Sequence, residues 1–532
     1  MTERDAFPVR RRDLLAMIGT AAGSSVMYQA MTSLGLAAES TYRGPIKLEG
    51  DPKGASVLIL GAGLAGLVAA LELRQAGYRV EVLEYADRAG GRCWSLRGGD
   101  RYVELGGAEQ VCAFDRDLYF NPGPWRIPFH HHAVLDYCKR LGVALEPFIQ
   151  VNYNAYLHVR NAFGGKPQRF RHVFSDFHGN IAELLAKATS QNKLNELVSA
   201  DEKELLLAAL RQWGALDKDY AYKASTLTSD RRGYDKDPGG GLSAEPIPSQ
   251  PLPFGEILRS RAWFRLALGH IYEFQSTMFQ PVGGMDMIAK GFAREVGNLV
   301  RHNAKVTAIR QDDKRVTVTY VDAQKGGAPM TASADWCLCT IPLSVLDQIE
   351  MNVGAAMANA INAVPYGAAL KIGLQFKRRF WEHDEHIYGG ITYTDLPIWQ
   401  IGYPSTGYGG AGKGVLLGAY SFASPYAYEF TALPPQERLK KAVEYGTQIH
   451  PQYASEYENG MSVGWHRVPW VLGCFGQWDD DMRKQHYRNL CAIDGRIALA
   501  GEHASYIPAW QEGAILSALD AITRLHQRVI TG

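Results

Sequence analysis

The stretch that most constrains this chain runs from Ser56 to Glu84, SVLILGAGLAGLVAALELRQAGYRVEVLE. Val57 to Leu60 is an apolar run short enough to be a buried parallel strand. Gly61, Gly63 and Gly66 follow with G-x-G-x-x-G spacing, then an Ala/Leu-rich segment with helical periodicity and a second strand, Tyr78 to Leu83, ending in Glu84. Each residue type has a mechanical reason. Gly61 permits a tight turn, Gly63 lets a pyrophosphate reach the backbone, and Gly66 lets helix and strand pack closely. The helix N-terminus adds free N–H donors and positive dipole. A carboxylate at the tip of the second strand suits the ribose hydroxyls of an adenine dinucleotide. With strand, helix, second strand and acid all in place, the stretch reads as a dinucleotide-binding βαβ unit.

A chain of 532 residues exceeds one ordinary core, so two intertwined domains are expected. Formal net charge is +1, which predicts no bulk attraction to nucleic acid or anionic membrane. Seven cysteines, with no C-x-x-C and no metal-ligand spacing, give neither a zinc site nor a disulfide framework. Cys337 and Cys339 alternate along a strand-like run and should share a face. His130, His131 and His132 are consecutive, so their side chains diverge; no metal is expected there. At the N-terminus, Arg11 and Arg12 precede a weakly apolar, glycine-interrupted stretch, Ala16 to Ala38. That pattern resembles a twin-arginine signal and predicts an exported, periplasmic or secreted protein without a membrane-spanning helix.

After Glu84, Arg88-Ala89-Gly90-Gly91-Arg92 adds a second glycine pair and an arginine, Arg92, able to reach the same pyrophosphate. Arg-x-Gly-Gly-Arg at this place resembles the flavin amine oxidase superfamily, which implies FAD in preference to NAD. Gly123-Pro124-Trp125-Arg126-Ile127-Pro128, with His131 and a helix from Ala133 to Leu141, resembles the L-amino-acid oxidases within it. The resemblance implies that Arg126 grips a substrate carboxylate and that Trp125 borders the cofactor. The chemistry suits arginine, whose planar fork holds a carboxylate bidentately and keeps its charge. One departure stands out. In the family the Leu-Gly that ends the preceding strand joins this motif directly, whereas here Ala108 to Asn121 reads as an inserted loop between Gly106 and Gly123. A register using Gly106-Gly107-Ala108-Glu109 would put an acid in the arginine's place and favour an amine lacking a carboxylate.

The same resemblance extends along the chain. Leu268 to Phe274 resembles a segment that places a histidine, His270, and a phenylalanine, Phe274, over the flavin. Lys305 to Ile309 reads as a strand whose Val306 would contact FAD. Lys371 matches a lysine that holds a water near flavin N5, although period-2 alternation around it also fits a solvent-facing strand. Tyr420 would assist Arg126, with Phe422 and Phe475 shaping the substrate pocket. Gly501-Glu502, then Ala509-Trp510-Gln511-Glu512-Gly513-Ala514, implies a carboxylate for the ribityl chain and a helix aimed at the flavin. Glu502, Gln511 and Ala514 are thus cofactor contacts, and Trp510 and Ala509 pocket walls.

The fold expected is two-domain α/β. A leader spans 1–39; a Rossmann-like FAD-binding domain is assembled from 54–125, 283–345 and 480–530. A helical insert with part of the substrate domain occupies 126–282, and a mixed-sheet substrate domain 346–479. The implied activity is FAD- and O₂-dependent oxidative deamination of L-α-amino acids, with apolar or aromatic side chains favoured by the aromatic cage. A primary-amine oxidase, an amino-acid monooxygenase and a non-catalytic flavin-binding protein stay open as alternatives. Partners are a small amino acid and O₂, with a homodimer expected.

Overall fold

The computed structural model describes residues 40–191, 198–422 and 424–531, so the leader expected at 1–39 lies outside the described residues. The βαβ unit forms as its sequence dictates. Strand β1 (Ser56–Leu60) leads into helix α1 (Leu64–Gln75) and strand β2 (Arg79–Leu83). Three further strands, β3 (Val300–Arg301), β4 (Trp336–Cys339) and β5 (Ile497–Leu499), complete an all-parallel sheet in the order β3-β2-β1-β4-β5. Alternation divides β1 between two cores. Val57 and Ile59 join a helical layer, while Leu58 and Leu60 join a second core. Cys337 and Cys339 both fall in the second core, on one face as alternation requires.

The helical layer contains α1, α2 (His132–Arg140), α5 (Asp286–Val296) and α6 (Gln511–Thr531), where α3 (Phe170–Ser190) and α4 (Ala200–Gly214) are the long helices elsewhere in the chain. Helix α2 therefore packs with the dinucleotide core although it lies within the 126–282 segment. Glu512 explains why: its carboxylate accepts from the Ala133 and Val134 amides at 3.0 and 2.9 Å, capping α2 from α6. Helices α3 and α4 form a separate small core, with a capping box at Ser199 and Glu202 starting α4.

The second large sheet has seven strands. In spatial order they are Gln168–Arg169, Tyr156–His158, Ile391–Thr394, Gln400–Gly402, Gly414–Phe422, Ala369–Phe376 and Tyr457–Gly464. One pairing is parallel and the rest antiparallel, so the sheet is mixed. The segment 108–121 is not a plain loop. Glu109–Val111 pairs with Arg101–Val103, and Tyr119–Phe120 pairs with Leu96–Arg97. Its buried apolar residues, Cys112, Phe114 and Phe120, pack against the substrate sheet. The fully buried Glu104–Arg438 ion pair, 2.6 Å long, fastens this hairpin to the substrate domain. No described helix is long and apolar enough to cross a membrane.

Candidate active site

Between the two sheets lies a cavity of about 870 Å³ whose lining begins at the glycine turn. Gly61 has φ +100°, and a Cβ there would meet Thr340 Oγ1 at 2.7 Å. A Cβ on Gly66 would lie 2.0 Å from the Gly61 carbonyl, so this glycine serves close packing and does not line the cavity. Gly63 is different: a Cβ there would meet nothing within 4 Å. It caps α1 beside Gly90 and Gly91, and all three face the cavity, leaving a cradle of backbone at a helix N-terminus. Glu84 accepts from the Ala62 and Ala86 amides at 2.6 and 2.8 Å and lines the same space. Arg92 and Glu502 form an ion pair of 2.8 Å, and Glu502 also accepts from Ala509 N–H. These residues, with Val306, Gln511 and Ala514, fit an adenine dinucleotide by donor set and open cradle.

The far part of the same cavity holds the cations. Strand Gly414–Phe422 pairs with Ala369–Phe376 in a register that sets Lys371 opposite Tyr420. Lys371 is 2% exposed, because its strand is buried on both faces. The alternation that suggested solvent on one side is misleading in the middle of a covered sheet. Its Nζ donates to the Gly123 carbonyl and lies 4.4 Å from the Tyr420 ring centre and 5.0 Å from that of Trp125. Burial first, then the charge of Arg126, hold this amine well below the ordinary lysine value. An unfolded chain would carry that proton at every pH below 10.5. Folding therefore disfavours the protonated amine, and that cost grows as pH falls below the ordinary lysine value. We expect Lys371→Met to unfold at higher temperature than the wild type, with a gain that widens from pH 10 to pH 7; thermal unfolding across that range checks it.

Arg126 follows directly on Trp125, whose ring packs where a Gly402 Cβ would stand. Its guanidinium lies 4.7, 5.3 and 5.9 Å from the ring centres of Phe274, Trp125 and Trp510. Its Nε is buried without a partner, and no carboxylate among the described residues lies within ion-pair distance. Burial lowers its pKa, while Tyr420, Tyr393 and Glu273 act in the opposite sense. Glu273, 2% exposed, has its own carboxyl pushed up to about 8 by burial, against the pull of Arg126. Phe422, Phe475, Ala509 and Trp510 line the same cavity.

Two expectations need correcting. His270 is exposed and does not line the cavity; the chain from Leu268 to Phe274 forms two short 3₁₀ turns that keep Phe274 inside and turn His270 outward. The register through Glu109 also fails geometrically, since Glu109 lies on an exposed hairpin pairing with Arg101 at 3.1 Å. Polar residues of the lining that carried no sequence signal include Gln150, Arg265, Tyr393 and Gln400. They come from separate segments with no local motif, so the pocket is less uniformly apolar than expected.

A glycine cradle and paired strands for a dinucleotide, opening into a cationic, aromatic-walled chamber, define a flavin-type oxidoreductase site. The family model for flavin containing amine oxidoreductases matches residues 64–525, and the chain belongs to that family. Its cofactor is accordingly FAD. An L-amino-acid oxidase of Siganus canaliculatus is 26% identical over 89% of this chain and 86% of its own length. One from Vipera ammodytes ammodytes is 28% identical over 90% and 94%. Among solved structures, wild-type putrescine oxidase bound to putrescine superimposes with a TM-score of 0.57 over 90% of this chain and 99% of that one. At 17% identity this likeness concerns the fold alone.

Proposed function

We propose that the protein oxidatively deaminates L-α-amino acids to 2-oxo acid, ammonia and hydrogen peroxide. The observation that carries this reading is Arg126, a cation without a carboxylate partner in the chamber that continues the dinucleotide cradle. A buried charge without a counter-charge is costly, and a substrate carboxylate supplies what the chain lacks. When bound, FAD supplies the acceptor for the hydride leaving Cα, with O₂ as the final oxidant. The chain's own residues orient and enclose. Arg126 and the Tyr420 phenol hold the α-carboxylate and so fix the direction of the Cα–H bond. Phe274, Phe422, Phe475 and Trp510 exclude water and wall the substrate's stem. Lys371, buried with its Nζ over the Tyr420 and Trp125 rings, is the residue to hold a water beside the reacting carbon. No strong base is required, because the neutral substrate amine supplies the electron push, and water then hydrolyses the imino acid.

The test is a peroxide-coupled screen of the twenty L-amino acids, several D-isomers and simple amines. Turnover of at least one L-amino acid, with its anaerobic addition bleaching the yellow flavin, is expected. Turnover of amines alone would make the protein an amine oxidase, and a flavin that no compound bleaches would make it a binding protein.

A further inference from the structure

Arg265 is the third guanidinium of the cavity, after Arg92 and Arg126, and nothing in the reaction above uses it. It sits on the short helix Trp263–Ala267 and donates from Nη2 to the Thr394 carbonyl at 2.8 Å. Among the described residues no carboxylate lies within ion-pair distance of it, and the nearby Asp395 is engaged by Arg160 at 3.4 Å. Beside it in the lining stand Tyr393 and Gln150, 9% and 4% exposed. Arg126, Arg265 and Tyr393 all line the same cavity, so the two guanidinium groups share one chamber.

Gln150 supplies an independent sign that something else binds here. Its Nε2 lies 3.2 Å from the Tyr393 hydroxyl, while its Oε1 is buried with no partner at all. An orphaned buried acceptor is expensive. Amide oxygen and nitrogen are interchangeable assignments. With the amide turned over, the Tyr393 hydroxyl donates to Oε1, and the amino group faces the cavity with two donors to offer. Arg265 and Gln150 then present donors only. The ligand that satisfies them is an acceptor with a negative charge.

We propose that the substrate is a dicarboxylic L-amino acid, held by Arg126 at its α-carboxylate and by Arg265 with Gln150 at the carboxylate of its side chain. This rests on the amino-acid-oxidase reading and narrows it. The methylene stem lies along Phe274, Phe422 and Trp510, and both charges meet fixed partners. A substrate with a cationic tail meets Arg265 and Arg126 in a site of low dielectric and is repelled. An apolar amino acid fills the chamber but leaves Arg265 and Gln150 unmatched, the situation in which polar sites discriminate most strongly.

The experiment uses the holoenzyme and its Arg265→Gln variant, assayed with L-glutamate, L-aspartate, L-glutamine, L-leucine and L-phenylalanine. We expect kcat/KM for L-glutamate or L-aspartate to exceed that for L-leucine by about tenfold or more. Arg265→Gln should lower it by about a hundredfold, mainly through KM, while changing L-leucine by less than about threefold. A binding measurement keeps the test independent of turnover. Glutarate should perturb the flavin spectrum at concentrations about tenfold below pentanoate, a preference the variant loses. Equal binding of the two acids, or L-leucine turnover without that of either dicarboxylic substrate, overturns the proposal while leaving the oxidase intact. Failure of every amino acid to reduce bound flavin overturns the oxidase reading as well.

Discussion

Replacing Arg126 by methionine is expected to lower kcat/KM for L-α-amino acids by between about thirtyfold and several thousandfold. Losing one side of a buried, hydrogen-bonded charge pair costs about 2–5 kcal/mol, and each 1.4 kcal/mol is about tenfold. The loss should appear in both KM and kcat, because the guanidinium both binds the carboxylate and aims the Cα–H bond. Arg126→Lys should recover only part of it, since an ammonium keeps the charge without the planar fork. What separates this outcome from a folding defect is the resting protein. Arg126 faces the rings of Phe274, Trp125 and Trp510, and none of the glycine cradle, so flavin content should stay unchanged. With no counter-ion lost, thermal stability should hold or rise. A variant that lost flavin along with activity would show Arg126 to be a structural cation, and the amino-acid assignment would fall with it.

What the sequence disclosed follows the range over which each piece of information acts. The βαβ unit from Ser56 to Glu84 is a local device whose glycines, strand periods and acid sit within one stretch, so it can be read without knowing the rest. Arg126 was readable for a similar reason, flanked by Gly-Pro-Trp and Ile-Pro. Lys371 shows the limit. Polar residues at 371 and 375 mimic a half-exposed strand, yet both are buried: strands from 414–422 and 457–464 flank theirs, helices Pro425–Ala432 and Pro435–Thr447 cover one face, and the segment 115–123 covers the face that carries them. His270 fails on a finer scale: Ile271 is extended between the turns Leu268–His270 and Tyr272–Phe274, which breaks any helical repeat, so a four-residue spacing does not keep His270 and Phe274 on one side. Arg265, Gln150 and Tyr393 carried no signal at all. A helix turn, a loop and a central strand bring them together, and only the assembled sheet makes neighbours of them.

The glycines of the first turn allow cofactor binding to be separated from folding. Gly63 has φ −69° and ψ 177°, an extended conformation that a β-branched residue adopts without strain, and its missing Cβ faces empty cavity. Nothing in the protein itself therefore demands glycine at 63; the demand comes from a pyrophosphate resting on that backbone. Gly63→Val should yield a folded, colourless protein whose far-ultraviolet circular dichroism matches the wild type, with FAD affinity down by about a thousandfold, or about 4 kcal/mol. Gly66→Val should behave otherwise. Its Cβ would stand 2.0 Å from the Gly61 carbonyl and 3.3 Å from Ile59, so α1 must lift off β1 and the parallel sheet loses its covering helix. Overpacking at a contact this close destabilises the chain whether or not flavin is present, and added FAD should fail to restore a wild-type melting temperature. Should Gly63→Val retain bound flavin, the cradle at the head of α1 is not where the pyrophosphate rests, and the placement of the reacting chamber relative to the cofactor would have to be redrawn.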